Sequence, residues 1–294
     1  MKKLAIIGGA GQMGVLFATY FQNKNYDVVL YDINNDKAIS TSKKLGVSST
    51  NNIKKAITHS EIVIVSVPLE KTSDVISQIS SLMPKGALLI EISSLKSNVL
   101  GVMRDLGRFK VQPLSIHPLI GPGVKNLKGQ NLVVIPIKDP DGEIELAKQL
   151  FYDMSIDDME CEKHDEIMSI TITLNHLICA SLLSIIKDLD IEKLRNLGGP
   201  SFQLLLLLCE STLSQEQELY SSIKNMNEYS DKWLDKFDVS YKKLKNMSNT
   251  KNLTTELNII QKHISTDPYF PKSYKIMYEM FSVLKNSSNR DLVP

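Results

Sequence analysis

The chain begins with a feature that leaves few folds open. An apolar run, Leu4-Ala5-Ile6-Ile7, breaks directly into Gly8-Gly9-Ala10-Gly11-Gln12-Met13-Gly14. Gly9, Gly11 and Gly14 fit a G-x-G-x-x-G spacing. The first glycine permits a tight strand-to-helix turn, the second lets backbone approach a pyrophosphate, and the third allows close helix–strand packing. The following helix N-terminus offers free N–H groups and the positive end of its dipole. Such a triplet alone is weak evidence. Here a strand precedes it, helical spacing from about Met13 to Asn23 follows, and Asp32 closes the next strand-like run, Val28-Val29-Leu30-Tyr31. Together these features imply a dinucleotide site.

Asp32 also selects the cofactor. A carboxylate there accepts hydrogen bonds from both ribose hydroxyls and repels a 2′-phosphate. Ile33-Asn34-Asn35 provide no arginine to hold such a phosphate. NAD is therefore expected rather than NADP. Gly9, Gly11, Gln12, Met13, Gly14 and Asp32, with Val67 and Pro68 at the end of a later strand, form the expected cofactor-binding set.

Beyond this opening, strands and helices alternate. Ile62–Val67 is a continuous β-branched run, as in a strand buried on both faces, and Pro68 ends it. Helical spacing follows from Thr72 to Leu82, then a buried strand over Ala87–Ile92, a serine turn, and a helix from about Ser94 to Leu106. Lys110–Ser115 and Asn131–Pro136 supply further strands. The expected architecture is α/β: an N-terminal Rossmann-type, doubly wound parallel sheet over residues 1–155. After about Asp153 the texture changes to long helical stretches: Asp165–Asp188, Ser201–Leu213, Gln215–Phe237, Leu253–His263 and Lys272–Leu284. Residues 156–294 are thus expected to form an all-α helical domain for substrate binding and dimerisation. The apolar Leu204–Leu208 run fits either a homodimer interface or a domain interior.

Composition narrows the partners. The 34 basic residues balance 33 acidic ones, so no nucleic-acid-binding surface is indicated. Cys161, Cys179 and Cys209 are widely separated with no CxxC pair, which points to buried free thiols rather than disulfides or a metal site. Glycines interrupt the Lys2-Lys3-led apolar start before any signal-peptide core develops. The run Ile167–Ile186 is apolar, but Thr171, Thr173, Asn175, His176 and Ser181 lie within it. A buried helix of a cytoplasmic protein, with no membrane partner, is the expectation.

The chemistry-bearing candidate is Ser115-Ile116-His117-Pro118-Leu119-Ile120-Gly121-Pro122. His117 is held between a strand-like run and a loop that Pro118 and Pro122 stiffen. An imidazole fixed beside a nicotinamide is suited to taking a proton from a substrate hydroxyl.

With these residues in view, the chain resembles the prephenate/arogenate dehydrogenase family of tyrosine biosynthesis. The resemblance rests on the G-G-x-G-x-M-G opening, Ser66-Val67-Pro68, the Ser94-Leu95-Lys96 turn and the His117-Pro118-x-x-Gly121-Pro122 loop. His164-Asp165, followed by His176 on a long apolar helix, also looks like the family's pattern. It implies NAD-dependent oxidative decarboxylation of prephenate or arogenate, with His117 and Ser94 as catalytic residues and His176, His164 and Lys125 at the substrate. Ser94 equally fits an N-cap for the helix that follows, and Lys96 fits either a solvated helix position or a carboxylate ligand. One departure stands out. The helix after Gly198-Gly199-Pro200 lacks the family's carboxylate-binding arginine, reading Phe202-Gln203-Leu204 and on to Cys209-Glu210-Ser211. The arginines are Arg104, Arg108, Arg195 and Arg290; Lys125, Lys128 or Arg195 is left to supply the charge, and Glu210 to pair an arogenate ammonium. The chain leaves no room for a fused mutase or a β-rich regulatory module beside its two halves. Two other readings remain. One is a β-hydroxyacid dehydrogenase or imine reductase type, with Lys163 as its nearest catalytic lysine. The other is a non-catalytic NAD-binding sensor.

Overall fold

The computed structural model describes residues 2–247 and 249–288; Arg290 lies outside the described residues. Two compact units divide the chain. The first runs from the N-terminus to Ser169 and takes in Ser221–Asn227, and the second comprises Ile170–Tyr220 and the residues from Glu228 onward.

In the first unit the elements follow in the order β1 (Lys3–Ile7), α1 (Gln12–Asn23), β2 (Asp27–Tyr31), α2 (Asn35–Leu45), β3 (Ser48–Ser49), α3 (Ile53–Ile57), β4 (Ile62–Val65), α4 (Leu69–Ser80) and β5 (Leu88–Glu91). Then come α5 (Ser97–Asp105), β6 (Gln112–Pro118), β7 (Asn131–Ile135), α6 (Pro140–Leu150), β8 (Ser155–Asp158) and α7 (Cys161–Met168). The strands make one sheet in the order β3-β2-β1-β4-β5-β6-β7-β8, parallel except at β6–β7. This is the doubly wound fold expected, except that β7 and β8 run antiparallel to the other strands; β3 and β8, one at each edge, are strands beyond those expected. Alternation along each strand feeds a core on either face. Leu4, Ile6, Ile64, Ile90 and Leu114 pack with Phe17, Phe21 and Phe151 on one side. Ala5, Ile7, Val63, Val65 and Leu89 pack with Ile76, Ile79 and Met103 on the other.

Several boundaries differ from the sequence reading, each for a physical reason. β6 continues through His117 to Pro118 because antiparallel β7 pairs along it, His117 opposite Val133. Proline is tolerated there as the last residue of its strand. β3 and β8 are short and polar, so no apolar run announces them; Ser155-Ile156-Asp157-Asp158 is a mostly exposed edge. α5 starts at Ser97, not Ser94, and its N-cap residue Lys96 makes no side-chain cap. Ser94 therefore is not the N-cap.

The second unit is helical: a π-helical turn over Ser169–Leu174 leads into α8 (Asn175–Ile186), then α9 (Ile191–Leu197), α10 (Pro200–Leu213) and α11 (Gln217–Met226). α12 (Ser230–Lys245), α13 (Thr250–Ile264) and α14 (Phe270–Ser288) complete it. A break at Asn227 splits the expected 215–237 helix in two. The last residues of α11 belong with the first unit, where Asn227 Nδ2 donates to the Asp165 carbonyl at 2.7 Å. The chain is helical throughout Cys161–Ile186, a stretch long and apolar enough to cross a membrane. Within it the Thr173 hydroxyl contacts that of Ser230, and the His176 ring stacks on Tyr220. All three cysteines are buried and free.

Two glycines give opposite expectations. A Cβ at Gly14 would lie 2.5 Å from the Gly8 carbonyl oxygen and 2.9 Å from Gly9 Cα, all backbone, whereas one at Gly101, exposed within α5, would meet nothing. Urea titration should show Gly14→Ala destabilised by about 1–3 kcal/mol and Gly101→Ala stabilised by about 0.5–1 kcal/mol.

Candidate active site

Every candidate in the first unit outside α7 and the loop carrying Lys125 falls at or just past the carboxyl ends of parallel strands, where doubly wound sheets bind ligands. After β1, Gly8 turns at φ 80° and donates to the Tyr31 carbonyl at 2.9 Å; Gly9 donates to the same oxygen at 3.0 Å. A Cβ at Gly8 would overlap the Ser66 carbonyl, so the loop lies directly against the end of β4. Gly11 is the N-cap of α1 and brings no side chain to it, which leaves the first-turn amides of Gln12, Met13 and Gly14 to an outside acceptor. Asp32 takes the Ala10 N–H on Oδ2 at 3.1 Å and the Asn34 N–H on Oδ1 at 2.9 Å, fixing its carboxylate beside the loop. Val67 and Pro68 form the adjacent corner, with Pro68 capping α4. A glycine-lined cradle, open helix amides and a fixed carboxylate fit a dinucleotide.

Next to it lies a buried charge cluster that sequence reading found only in part. Glu91, the last residue of β5, is fully buried; its Oε1 accepts from Lys96 Nζ at 2.7 Å and from the Ser115 hydroxyl. Its Oε2 accepts from the Ser93 amide at 2.9 Å and from the Ser93 hydroxyl. Lys96, also fully buried, gives a second hydrogen bond to the Ile116 carbonyl at 2.7 Å. It is therefore an internal counter-ion, not a solvated helix residue. Burial pulls the Lys96 ammonium below its ordinary value, with Glu91 opposing. The capping role read for Ser94 is filled by Asp165: its carboxylate takes the Lys96 amide at 3.0 Å and the Ser97 amide at 2.9 Å. Ser94 itself is half-buried on the turn after β5.

His117 and His164 come together: His117 Nδ1 lies 2.9 Å from His164 Nε2, and His164 Nδ1 lies 2.8 Å from Asp165 Oδ1. Burial first, then the Lys96 ammonium and His164, hold His117 well below the usual histidine value. Burial works against charge on Asp165, but hydrogen bonds from His164 and from the Ser97 and Lys96 amides outweigh it and hold its carboxyl low. Burial beside Asp165 and Glu162 pushes the Cys161 thiol up to about 12, so it is inert as a nucleophile. The cluster thus presents a neutral imidazole at the sheet's carboxyl edge.

Other candidates lie elsewhere. Lys125 is exposed on the loop between β6 and β7, as is Lys128. In the second unit His176 is buried against Tyr220, ring centroids 3.9 Å apart, and burial lowers its pKa. Gln203 donates to the Gly198 carbonyl at 2.8 Å, and Arg195 is ion-paired to Glu210. Glu210 thus already holds a cation. Glu91 was not singled out by sequence, and Asp165 and Ser115 were quoted only within motifs, with no role assigned; the available signal for Glu91 was a glutamate closing an otherwise apolar strand run, which burial allows only with a partner.

Comparison with known proteins gives the family. Residues 17–155 match the model described as prephenate dehydrogenase, nucleotide-binding domain, and residues 160–261 the one described as prephenate dehydrogenase, dimerization domain. The chain belongs to the prephenate dehydrogenase family. The glycine loop lies wholly ahead of the first match and stands on its own geometry. A relative from Methanocaldococcus jannaschii, a probable arogenate/prephenate dehydrogenase, is 29% identical over 231 residues, covering 76% of this chain and 52% of the relative. The chain spans about half the length of this and two other curated relatives it matches. Among solved structures, Aquifex aeolicus prephenate dehydrogenase in complex with hydroxyphenyl propionate and NAD+ superposes with TM-score 0.74 at 21% identity, covering 91% of this chain and 99% of that one. Synechocystis arogenate dehydrogenase gives 0.69 at 15%, covering 90% and 98%.

The Glu91–Lys96 pair yields a stability prediction. Lys96→Met strands a buried carboxylate and should cost about 3–5 kcal/mol, whereas adding Glu91→Gln in that background should recover part of the loss. Chemical denaturation of the two variants measures the difference.

Proposed function

We propose that the protein is an NAD-dependent dehydrogenase that oxidatively decarboxylates prephenate or arogenate. The observation that carries this reading is the buried His117 at the carboxyl edge of a sheet whose neighbouring strand ends form a dinucleotide cradle. Bound at that cradle, with Gly9, Gly11, Gln12, Met13, Gly14, Asp32, Val67 and Pro68 around it, NAD supplies the hydride acceptor. His117 takes the proton of the ring hydroxyl as the carbinol carbon is oxidised. The ketone that forms is vinylogous to the ring carboxylate, so carbon dioxide departs and its bonding pair completes an aromatic ring. Aromatisation drives the reaction, which leaves the protein to align donor and acceptor and to receive one proton. Ser94, on the turn after the strand next to β6, orients the hydroxyl. His176 and Lys125 serve the substrate's side chain.

The second unit supports a homodimer. Leu205, Leu207 and Leu208 on α10 are 42%, 41% and 51% exposed, an apolar surface of the kind that a second copy covers. Three buried free cysteines support a cytoplasmic enzyme, and the balanced charge a small-molecule substrate rather than nucleic acid.

Nicotinamide reduction followed by absorbance, with prephenate and with arogenate, tests this directly. Turnover of either substrate with NAD is expected; none with both would overturn the reading. In the active protein Asp32→Ser combined with Asn34→Arg should weaken NAD and admit NADP, since a repelling charge goes and a phosphate partner arrives. Unchanged selectivity in paired kinetics would remove Asp32 from the cofactor site.

A further inference from the structure

We propose that Asp165 and His164 are positioning residues that lock His117 in its Nδ1–H tautomer and leave Nε2 as the nitrogen that receives the substrate's proton. The inference rests on the dehydrogenase reading for its consequence, but not for its geometry. Both Asp165 oxygens face donors: Oδ1 takes the Lys96 amide at 3.0 Å and His164 Nδ1 at 2.8 Å, and Oδ2 takes the Ser97 amide at 2.9 Å. Backbone amides only donate, so this carboxylate is an acceptor throughout and His164 Nδ1 carries a hydrogen. A neutral imidazole has one N–H, which makes His164 Nε2 a lone pair. The 2.9 Å contact to His117 Nδ1 then requires His117 to donate. His117 Nε2 is left bare.

Burial and the nearby Lys96 charge favour the neutral His117 ring this needs. Lys96 Nζ, 2.7 Å from the Ile116 carbonyl, places a positive charge one residue from His117, and Glu91 is fully engaged in balancing it. Cys161 remains a neutral thiol beside Asp165. When His117 takes the hydroxyl proton on Nε2, its Nδ1–H continues to donate to His164, and His164 to the Asp165 carboxylate. The new positive charge is thereby met by a fixed anion through one intervening ring, with no group moving. His164 has both nitrogens occupied and is fully buried, so it holds its neighbour rather than the substrate.

Asp165→Asn tests this with little change of shape. With the amide oxygen in the Oδ2 place, where the Ser97 amide lies at 2.9 Å and the Lys96 amide at 3.3 Å, the NH2 takes the Oδ1 place facing His164 Nδ1, inverting the tautomers of both rings and placing a hydrogen on His117 Nε2. With prephenate or arogenate, kcat should fall by about 10²–10⁴-fold, the scale seen when a catalytic histidine is held in the wrong tautomer. KM for NAD should stay within about twofold, which a general structural defect would not allow. Nitrogen-15 spectra of the histidine side chains, assigned with His117→Asn, read the tautomer without turnover. Wild type should show a protonated Nδ1 and bare Nε2 at His117, and Asp165→Asn the reverse. A protonated Nε2 in the wild type overturns the proposal, and that spectrum decides even where the variant fails to fold. Undiminished kcat in a folded Asp165→Asn overturns it too. A bare Nε2 in a wild type that oxidises neither substrate supports the tautomer assignment and overturns the dehydrogenase reading.

Discussion

One buried ammonium organises the working end of this molecule. Lys96 Nζ, fully enclosed, bridges the Glu91 carboxylate at the end of β5 and the Ile116 carbonyl in β6. Removing an ion pair from water costs several kcal/mol per charge, and such a pair persists only where geometry and further hydrogen bonds compensate. Here Ser93 and Ser115 supply those bonds to Glu91. The same lysine contributes its backbone amide to Asp165, so the turn after β5 and the middle of α7 are tied through one residue. His117 inherits its position from this arrangement, one residue beyond the carbonyl that Lys96 holds.

The sheet explains why a cofactor cradle and a base occur side by side. Parallel strands point their carboxyl ends the same way, and the order β3-β2-β1-β4-β5-β6 places the Gly8–Gly14 loop, Asp32, Val67-Pro68, the serine turn and His117 along one edge. Antiparallel β7 braces β6 through Pro118, so His117 sits on a strand rather than a loop. A base that must meet a hydroxyl within hydrogen-bond reach gains from such rigidity, because small misplacements are costly in rate.

How much could be read from the chain follows from the range of each interaction. The glycine loop, Asp32 and Pro68 were legible because strand, turn and helix signals are local. His117 stood out because prolines flank its loop. Glu91, the role of Asp165 and the true place of Lys96 were not legible, since Lys96 meets Asp165 across 69 residues and no local pattern encodes that contact. Ser94 looked like an N-cap because serine at such a turn usually is one; a distant carboxylate took the role instead. β8 was hidden by its polarity, and the split between α11 and α12 by an Asn227 whose side chain leaves the helical pattern to hold the Asp165 carbonyl. The absent arginine after Gly198-Gly199-Pro200 was visible at once, but not that Arg195 is ion-paired to Glu210.

The account depends most on His117 being neutral and ready to accept a proton. Its folded pKa is depressed, so the ring stays unprotonated as pH falls through neutrality and takes a proton only below the usual histidine value of about 6.5. The acid limb of turnover should lie correspondingly low. A nuclear magnetic resonance titration of the His117 ring in the intact protein, from pH 8 downward, measures this directly. The account predicts no protonation step before about pH 6.5. A midpoint at or above that value would contradict it, because burial and the Lys96 charge would then not be governing the ring.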